Sequence, residues 1–337
     1  MNQMKTPKHL VKSILLRSGT LRLLSLGVRR RVALLRYHSV LDEEHRLAKS
    51  IGPGIIHSPA TFEAQMELVS RRYVPVTLDD VLQFLRGEIR LAAGSVAITF
   101  DDGFADNYEI AAPILERFGL KATFYVTVGS VEGPPPWFCR LNRVFQETSK
   151  RAWADPFAER SWDLSDSAPR REAFLSAVRS CGKMAGSQQD DAVSSIEKAL
   201  DVRPLLPEDR VMMDWRQIKA LHEAGHIIGS HTMTHPNLAH IDVDEMRYEI
   251  EESKRVLEKQ LGSPVVHFSY PAPILRPHWT ETTCSHAEQA GYQTGVTAVS
   301  GPVKFGDSPH SLARVPIPRE IDAFRWALES SFVGYRV

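Results

Sequence analysis

Short apolar or β-branched runs alternate with stretches of helical period along most of this chain, and that alternation constrains the fold more than any other feature. "RVALLRYH" leads to a helix over 59–72, "YVPV" to a helix over 78–87, "SVAITF" to a helix over 107–118, and "KATFYVT" follows. The rhythm then breaks and resumes with a helix over 214–224, "HIIGS", a helix over 242–261, "VVHFSY", a helix ending at Ala290, "YQTGVTAV", "LARVPI" and a last helix from Asp322. Thr77 with Asp80 has the spacing of a capping box, and Gly119, Gly225 and Gly262 stand where helices should stop. Seven or eight strands with intervening helices predict a parallel sheet with right-handed crossovers, closed or nearly closed into a distorted β/α barrel. No internal repeat at a fixed period is visible.

The interruption, about 129–209, begins with "GSVEGPPPWFCRLNRVF", is rich in Pro, Ser, Asp and Arg, and carries helical patterns near 170–180 and 190–201. It reads as a largely helical insertion that forms a lid or side wall. The barrel itself then occupies 31–337, and residues 1–30 form a separate basic segment.

From Met1 to Arg36 there are nine basic residues and no acidic one, although Lys plus Arg equals Asp plus Glu over the whole chain. That overall balance argues against nucleic acid as a partner. The basic stretch is a poor signal peptide, because Arg17, Gly19 and Arg22 interrupt its apolar part. No run of about 18 apolar residues exists to span a bilayer. Leu10, Ile14, Leu21 and Leu24 fall near helical spacing, so the segment suits either packing on the barrel or peripheral contact with an anionic membrane. Cys139, Cys181 and Cys284 are odd in number and lack any C-x-x-C, which argues against a disulfide framework and a thiolate zinc site. The expected location is cytoplasmic, with membrane association if the basic segment docks.

In a barrel of this kind the active site lies at the carboxyl ends of the strands. "SVAITF" ends at Asp101 and Asp102, and "HIIGS" ends at "HTMTH", with His231 and His235. Pro236 disfavours the α region for His235, so the two histidines belong on a loop, where both can face one ion. Two imidazoles and a carboxylate suit zinc or a similar divalent metal, and the neighbouring carboxylate is placed to take a proton from water. Either motif alone reads as a capped turn or as a pair of ordinary histidines. Their joint placement at strand ends favours a metal site. The same donor set also serves iron(II) oxygenases, but their jelly-roll fold would not produce this rhythm.

"TFDDGFADNY", "KATFYV" and "GSHTMTHPNL" together resemble the first motifs of the polysaccharide deacetylase family, the NodB-homology or carbohydrate esterase family 4 domain. "LLRYHSV", "SPATFEAQMELVSRRYVPVTLDDVLQFLRG" and "HFSYP" resemble its exopolysaccharide-deacetylase branch. The resemblance implies a NodB-type (β/α)7–8 barrel and metal-dependent removal of an acetyl group from an acetylated glycan, in polymeric or lipid-linked form. It implies one divalent ion, zinc first, with cobalt, nickel or manganese as alternatives. By position Asp101 would be the base, Asp102, His231 and His235 the ligands, and His38 the acid.

The third motif departs from the family pattern, because "HFSYPAPILRP" has Ser269 in place of the arginine and Ala272 in place of the tyrosine. Ala272 keeps a backbone N–H for an oxyanion, whereas Pro271 and Pro273 have none. Arg314 could orient Asp101 in place of the absent arginine or pair with a surface carboxylate. Arg314, Trp137 and Tyr270 are the candidates on the substrate side, Trp137 by stacking on a sugar ring. Two rival functions use the same fold: a silent carbohydrate-binding or assembly protein, and an amide or ester hydrolase on a non-sugar substrate.

Overall fold

The first strand, β1 (Arg31–Tyr37), sends Ala33, Leu35 and Tyr37 outward into a core shared with helices, and Val32 and Leu34 inward into a second apolar cluster. This alternation is the period of a strand covered on both faces. In the computed structural model, which describes residues 31–334, six further strands repeat it. They are β2 (Ser95–Phe100), β3 (Ala122–Val126), β4 (Ile227–Ser230), β5 (His267–Ser269), β6 (Thr294–Ser300) and β7 (Leu312–Pro316).

Each strand pairs in parallel with the next. β7 returns to β1 through Leu35 opposite Val315, which closes a seven-stranded parallel barrel and leaves it no edge. "YVPV" is not an eighth stave. Only Val74–Pro75 is extended, and it pairs with Ser95 and Val96 in the lower half of β2, whose upper half pairs with β3. The basic segment 1–30 lies outside the described residues.

Helices cover the outside. They are α1 (Pro59–Arg72), α2 (Leu78–Leu85), α3 (Ala112–Arg117), α7 (Trp215–Glu223), α8 (Val243–Leu261), α9 (Glu281–Gln289) and α10 (Ile321–Val333); α4 to α6 lie between β3 and β4. α1 places Phe62, Met66 and Val69 on Tyr37 and Phe100, and Phe100 stacks on Phe124 at 4.9 Å. Burying each such ring contributes roughly 1.5–3 kcal/mol. The capping box of Thr77 and Asp80 opens α2, whose Leu78, Val81 and Phe84 join the inward cluster of Val32, Leu34 and Ala97. The expected helix over 107–118 begins as a π-helical turn, Asn107–Ala111, before becoming α3. Gly262 closes α8 in the left-handed region.

Between β3 and β4 stand α4 (Trp137–Glu147), a hairpin of Ala152–Asp155 with Arg160–Asp163, α5 (Ser167–Cys181) and α6 (Gly186–Ala199). They share their own core of Leu141, Phe145, Trp153, Trp162, Val178 and Val193. Buried Arg140 pairs with Glu197 at 2.6 Å, bonds to Ser194 at 2.8 Å, and pairs with Asp190. Neither α4 nor the hairpin is signalled in the Pro-rich sequence that precedes them. α4 leans on a short helical turn after β1, Ala48–Ile51, through Asn142 to the Ile51 carbonyl (3.3 Å) and Gln146 to the Lys49 carbonyl (3.1 Å).

Inside the barrel the space is tight. A Cβ on Gly229 of β4 would lie 2.5 Å from the Tyr125 ring and 3.0 Å from the His267 carbonyl oxygen. Gly229→Ala should therefore lower the unfolding free energy by about 1–3 kcal/mol or more, read as a fall in the denaturation midpoint. A midpoint unchanged from wild type would contradict this packing.

Candidate active site

The hydrogen-bond ladder of β2 runs one residue past the strand, since Asp101 N–H donates to the Tyr37 carbonyl at 3.0 Å. Asp101 continues the inward series of Ala97 and Thr99, so its carboxylate lies within the barrel mouth. The chain then turns sharply: Asp102 has φ 74° and Gly103 has φ 87°. A non-glycine residue held there costs about 1 kcal/mol or more. The turn brings the two adjacent carboxylates to different partners.

Asp101 is bound on both oxygens by Arg314 of β7, at 2.7 Å each, and accepts from Ser269 Oγ at 3.1 Å. Arg314 is 2% exposed and also donates from Nε to the Thr297 carbonyl at 2.9 Å. Burial alone would raise the Asp101 carboxyl. The charge and hydrogen bonds of Arg314, with His231 nearby, override burial and hold it well below the usual carboxylate range.

Asp102 faces the histidines. Its Oδ1 lies 3.5 Å from His231 Nε2 and 3.4 Å from His235 Nε2, and the three donor groups lie within 4.8 Å of one another, all buried. Those separations are long for charge-assisted hydrogen bonds, which fall near about 2.8 Å. They fit the edge of a tetrahedron whose metal–ligand bonds are about 2.1 Å, close to 3.4 Å. His231 Nδ1 is occupied by the Ser269 carbonyl at 2.7 Å, which orients the ring and leaves Nε2 toward Asp102. Burial would raise the Asp102 carboxyl, but the neighbouring imidazoles of His231, His235 and His38 outweigh it and hold Asp102 well below the usual carboxylate range. These residues fit a divalent ion.

The histidine loop has its own supports. Met233 and Thr234 N–H both donate to Glu249 Oε2 of α8 at 2.8 Å, and Thr234 Oγ1 donates to Oε1 at 2.5 Å. His235 N–H donates to Thr232 Oγ1 at 3.0 Å, and both residues take positive φ, 61° and 67°. From α4, Trp137 Nε1 donates to the His235 carbonyl at 2.9 Å, while the Phe138 ring lies 4.7 Å from the His235 ring.

A cleft of about 660 Å³ opens over these groups, walled on one side by Phe138, Phe174 and Val178 and on the other by Ala272, Pro273 and Ile274. His38 lines it, with Nε2 3.8 Å from Asp101 Oδ2. Its main chain is pinned by Asn107 Nδ2, which donates to the His38 carbonyl at 2.7 Å. Burial lowers the His38 imidazole to about 4.

A model of the polysaccharide deacetylase family matches residues 89–167 and 181–295, more than half of the chain. The chain belongs to the polysaccharide deacetylase family. Among curated proteins, YxkH of Bacillus subtilis, named for the same family, is 22% identical over 288 residues, which cover 85% of this chain and 71% of that one. Two solved structures share the barrel. The Streptococcus pyogenes deacetylase PplD aligns with a TM-score of 0.59 at 19% identity, covering 90% of this chain and 98% of its own. IcaB from Ammonifex degensii aligns with a TM-score of 0.57 at 20% identity, covering 89% and 97%. The chain is thus an enzyme of polysaccharide deacetylation on a NodB-type barrel.

Of the three substrate-side candidates only Trp137 borders the cleft, and Arg314 instead holds Asp101, one of the two partners the sequence allowed it. Arg314 lies behind Asp101, with its guanidinium spent on that carboxylate and on strand β6, and does not line the cleft. Trp137 borders the cleft but is only 4% exposed, and its Nε1 braces the histidine loop. Tyr270 is 1% exposed, and its hydroxyl donates to the His310 carbonyl at 2.9 Å. Three other residues have roles that the sequence did not assign. Glu249 stands 14 positions beyond His235, and no spacing rule links a loop to a helix at that distance. Ser269 reads as the loss of an arginine but orders Asp101 itself. Arg36 continues the inward series Val32, Leu34, so the strand period could have found it.

Glu249→Ala leaves two backbone N–H groups of the histidine loop without their acceptor. It should lower the unfolding free energy by about 2 kcal/mol or more. Calorimetric titration should also show weaker zinc binding, whereas Glu249→Gln should keep part of both.

Proposed function

We propose that this chain removes acetyl groups from the N-acetylated sugars of a poly- or oligosaccharide, with one divalent ion at Asp102, His231 and His235. The reading rests above all on one observation, the convergence of a three-donor cluster and a separate carboxylate, held by Arg314 on both oxygens, at one barrel mouth. A divalent ion there, zinc by the donor set with cobalt, nickel or manganese as alternatives, would supply Lewis-acid activation of the acetyl carbonyl and of the attacking water.

Asp101 accepts the proton of that water as its oxygen bonds to the carbonyl carbon. His38, whose Nε2 lies 3.8 Å from Asp101 Oδ2 in the same cleft, is the group placed to carry that proton onward. Protonated His38 then delivers it to the sugar nitrogen as the C–N bond breaks, which leaves a free amine and acetic acid, and the acid gives its remaining proton to solvent as acetate departs. Ala272, at the cleft wall, offers the backbone N–H for the carbonyl oxygen as it gains charge. Arg314 positions Asp101 and keeps it ionised. Family membership implies an acetylated glycan, and peripheral membrane contact through segment 1–30 would favour its lipid-linked form.

Asp101→Asn should retain one equivalent of zinc and lose acetate release from N-acetylglucosamine oligomers by roughly 10²–10⁴-fold. Loss of zinc with retained activity would overturn the division of roles between the two aspartates. His38→Ala should damage turnover of the N-acetyl amide far more than of an aryl acetate ester, whose leaving group needs no proton. Equal losses on both would remove His38 from the acid role.

Arg314→Met removes the strongest influence that lowers the Asp101 carboxyl, so burial raises it relative to the wild type. A larger share of the base is then protonated at the acid end of the profile, and the pH at which residual activity climbs should shift upward. Stability should fall by about 3–5 kcal/mol as the buried carboxylate loses its partner. A wild-type pH profile in this variant would separate Arg314 from the base.

A further inference from the structure

Arg36 follows Val32 and Leu34 on the inward face of β1, at a level of the barrel where an apolar side chain would be cheaper to bury. Burial and the neighbouring Arg314 lower its guanidinium to about 10, so it is charged at neutral pH. Asp101 has both oxygens on Arg314, and Asp102 faces His231 and His235. Arg36 itself has no hydrogen-bond or ion-pair partner among the described residues, and it lines the cleft. On the insertion wall Arg171 of α5, exposed and likewise without a partner there, lines the same cleft. The lining holds no carboxylate besides Asp101 and Asp102.

Two guanidiniums answer two carboxylates at the mouth, and Arg314 already balances one of them. A divalent ion at Asp102 would add positive charge that nothing in the lining offsets. Half-buried Arg36 feels the charges of Asp101 and Asp102 but hydrogen-bonds to neither, so its planar fork stands free for a ligand, and that fork matches a carboxylate or a phosphate.

We propose that the cleft selects an anionic acetylated glycan, and that Arg36, assisted by Arg171, binds a carboxylate or phosphate carried on the acetylated sugar or its immediate neighbour. This rests on the reading of the cleft as the deacetylation site, which puts the acetyl group at Asp101 and the anion a short distance away. The source of the anion, a uronate in the polymer or a phosphate at a glycosyl carrier end, shares one chemistry at the arginines.

The test is calorimetric titration of the full chain with N-acetylglucosamine, N-acetylglucosamine 1-phosphate, and a disaccharide of N-acetylglucosamine and glucuronate. At least one anionic probe should bind about tenfold or more tighter than the neutral sugar. Arg36→Gln, with Arg36→Met as a second variant that preserves packing, should erase most of that gap, and Arg171→Gln a smaller part. Which anionic probe gains affinity identifies the source. Equal affinities for all three probes overturn the proposal, as does a gap that persists without Arg36, which would assign the attraction to the metal. A loss of acetate release by the same factor on neutral and anionic oligomers in Arg36→Gln also overturns it, since Arg36 would then serve the shared transition state. Anion preference without acetate release from any probe would keep this site and discard the deacetylase reading; release without preference does the reverse.

Discussion

Closure of the barrel is the constraint on which the rest depends. Seven parallel strands leave no edge only because β1 pairs with β2 on one side and β7 on the other. That closure brings Asp101 and Arg314, more than two hundred residues apart in sequence, to hydrogen-bonding distance, both of them buried. The pair is bidentate and buried, the geometry in which an ion pair's attraction can offset its desolvation. Helices packed on Tyr37, Phe100 and Phe124 hold the strands that carry it.

The polar groups of the site are supported from behind by different elements. Asp101 is fixed by β7 and β5, His231 by the Ser269 carbonyl, His235 by α4 and by Thr232, and the loop between the histidines by Glu249 of α8. Each support leaves the working atom directed into the cleft, as a preformed site requires. Positive φ at Asp102, Thr232 and His235 falls where the chain must turn side chains inward within one residue of a strand or proline. The insertion adds a wall and a brace, with a core of its own that keeps both rigid.

Much of this was legible in the chain because it is local. Strand and helix periods, the capping box at Thr77 and the stop at Gly262 depend on neighbours within about one turn, and those read correctly. Asp102, His231 and His235 were legible through motif spacing at strand ends. Which way Trp137, Tyr270 and Arg314 turn was not legible for one shared reason: it depends on what packs against them, and their neighbours come from other parts of the chain; of the two partners open to Arg314, the structure has Asp101. The apparent loss of the third-motif arginine was equally misleading, since Ser269 leaves room for a guanidinium arriving from another strand.

What the sequence by itself determined is the alternation of strand and helix, the order of the elements, and the residue types that can hold a metal and move a proton, because periodicity and donor chemistry are written residue by residue. Only the tertiary structure decided that there are seven staves rather than eight, that Arg314 serves Asp101, that Trp137 is a brace, and that Arg36 stands charged and unpaired in the cleft. These are contacts between segments distant in sequence, set by how the barrel closes and what the insertion covers, and no local pattern encodes them.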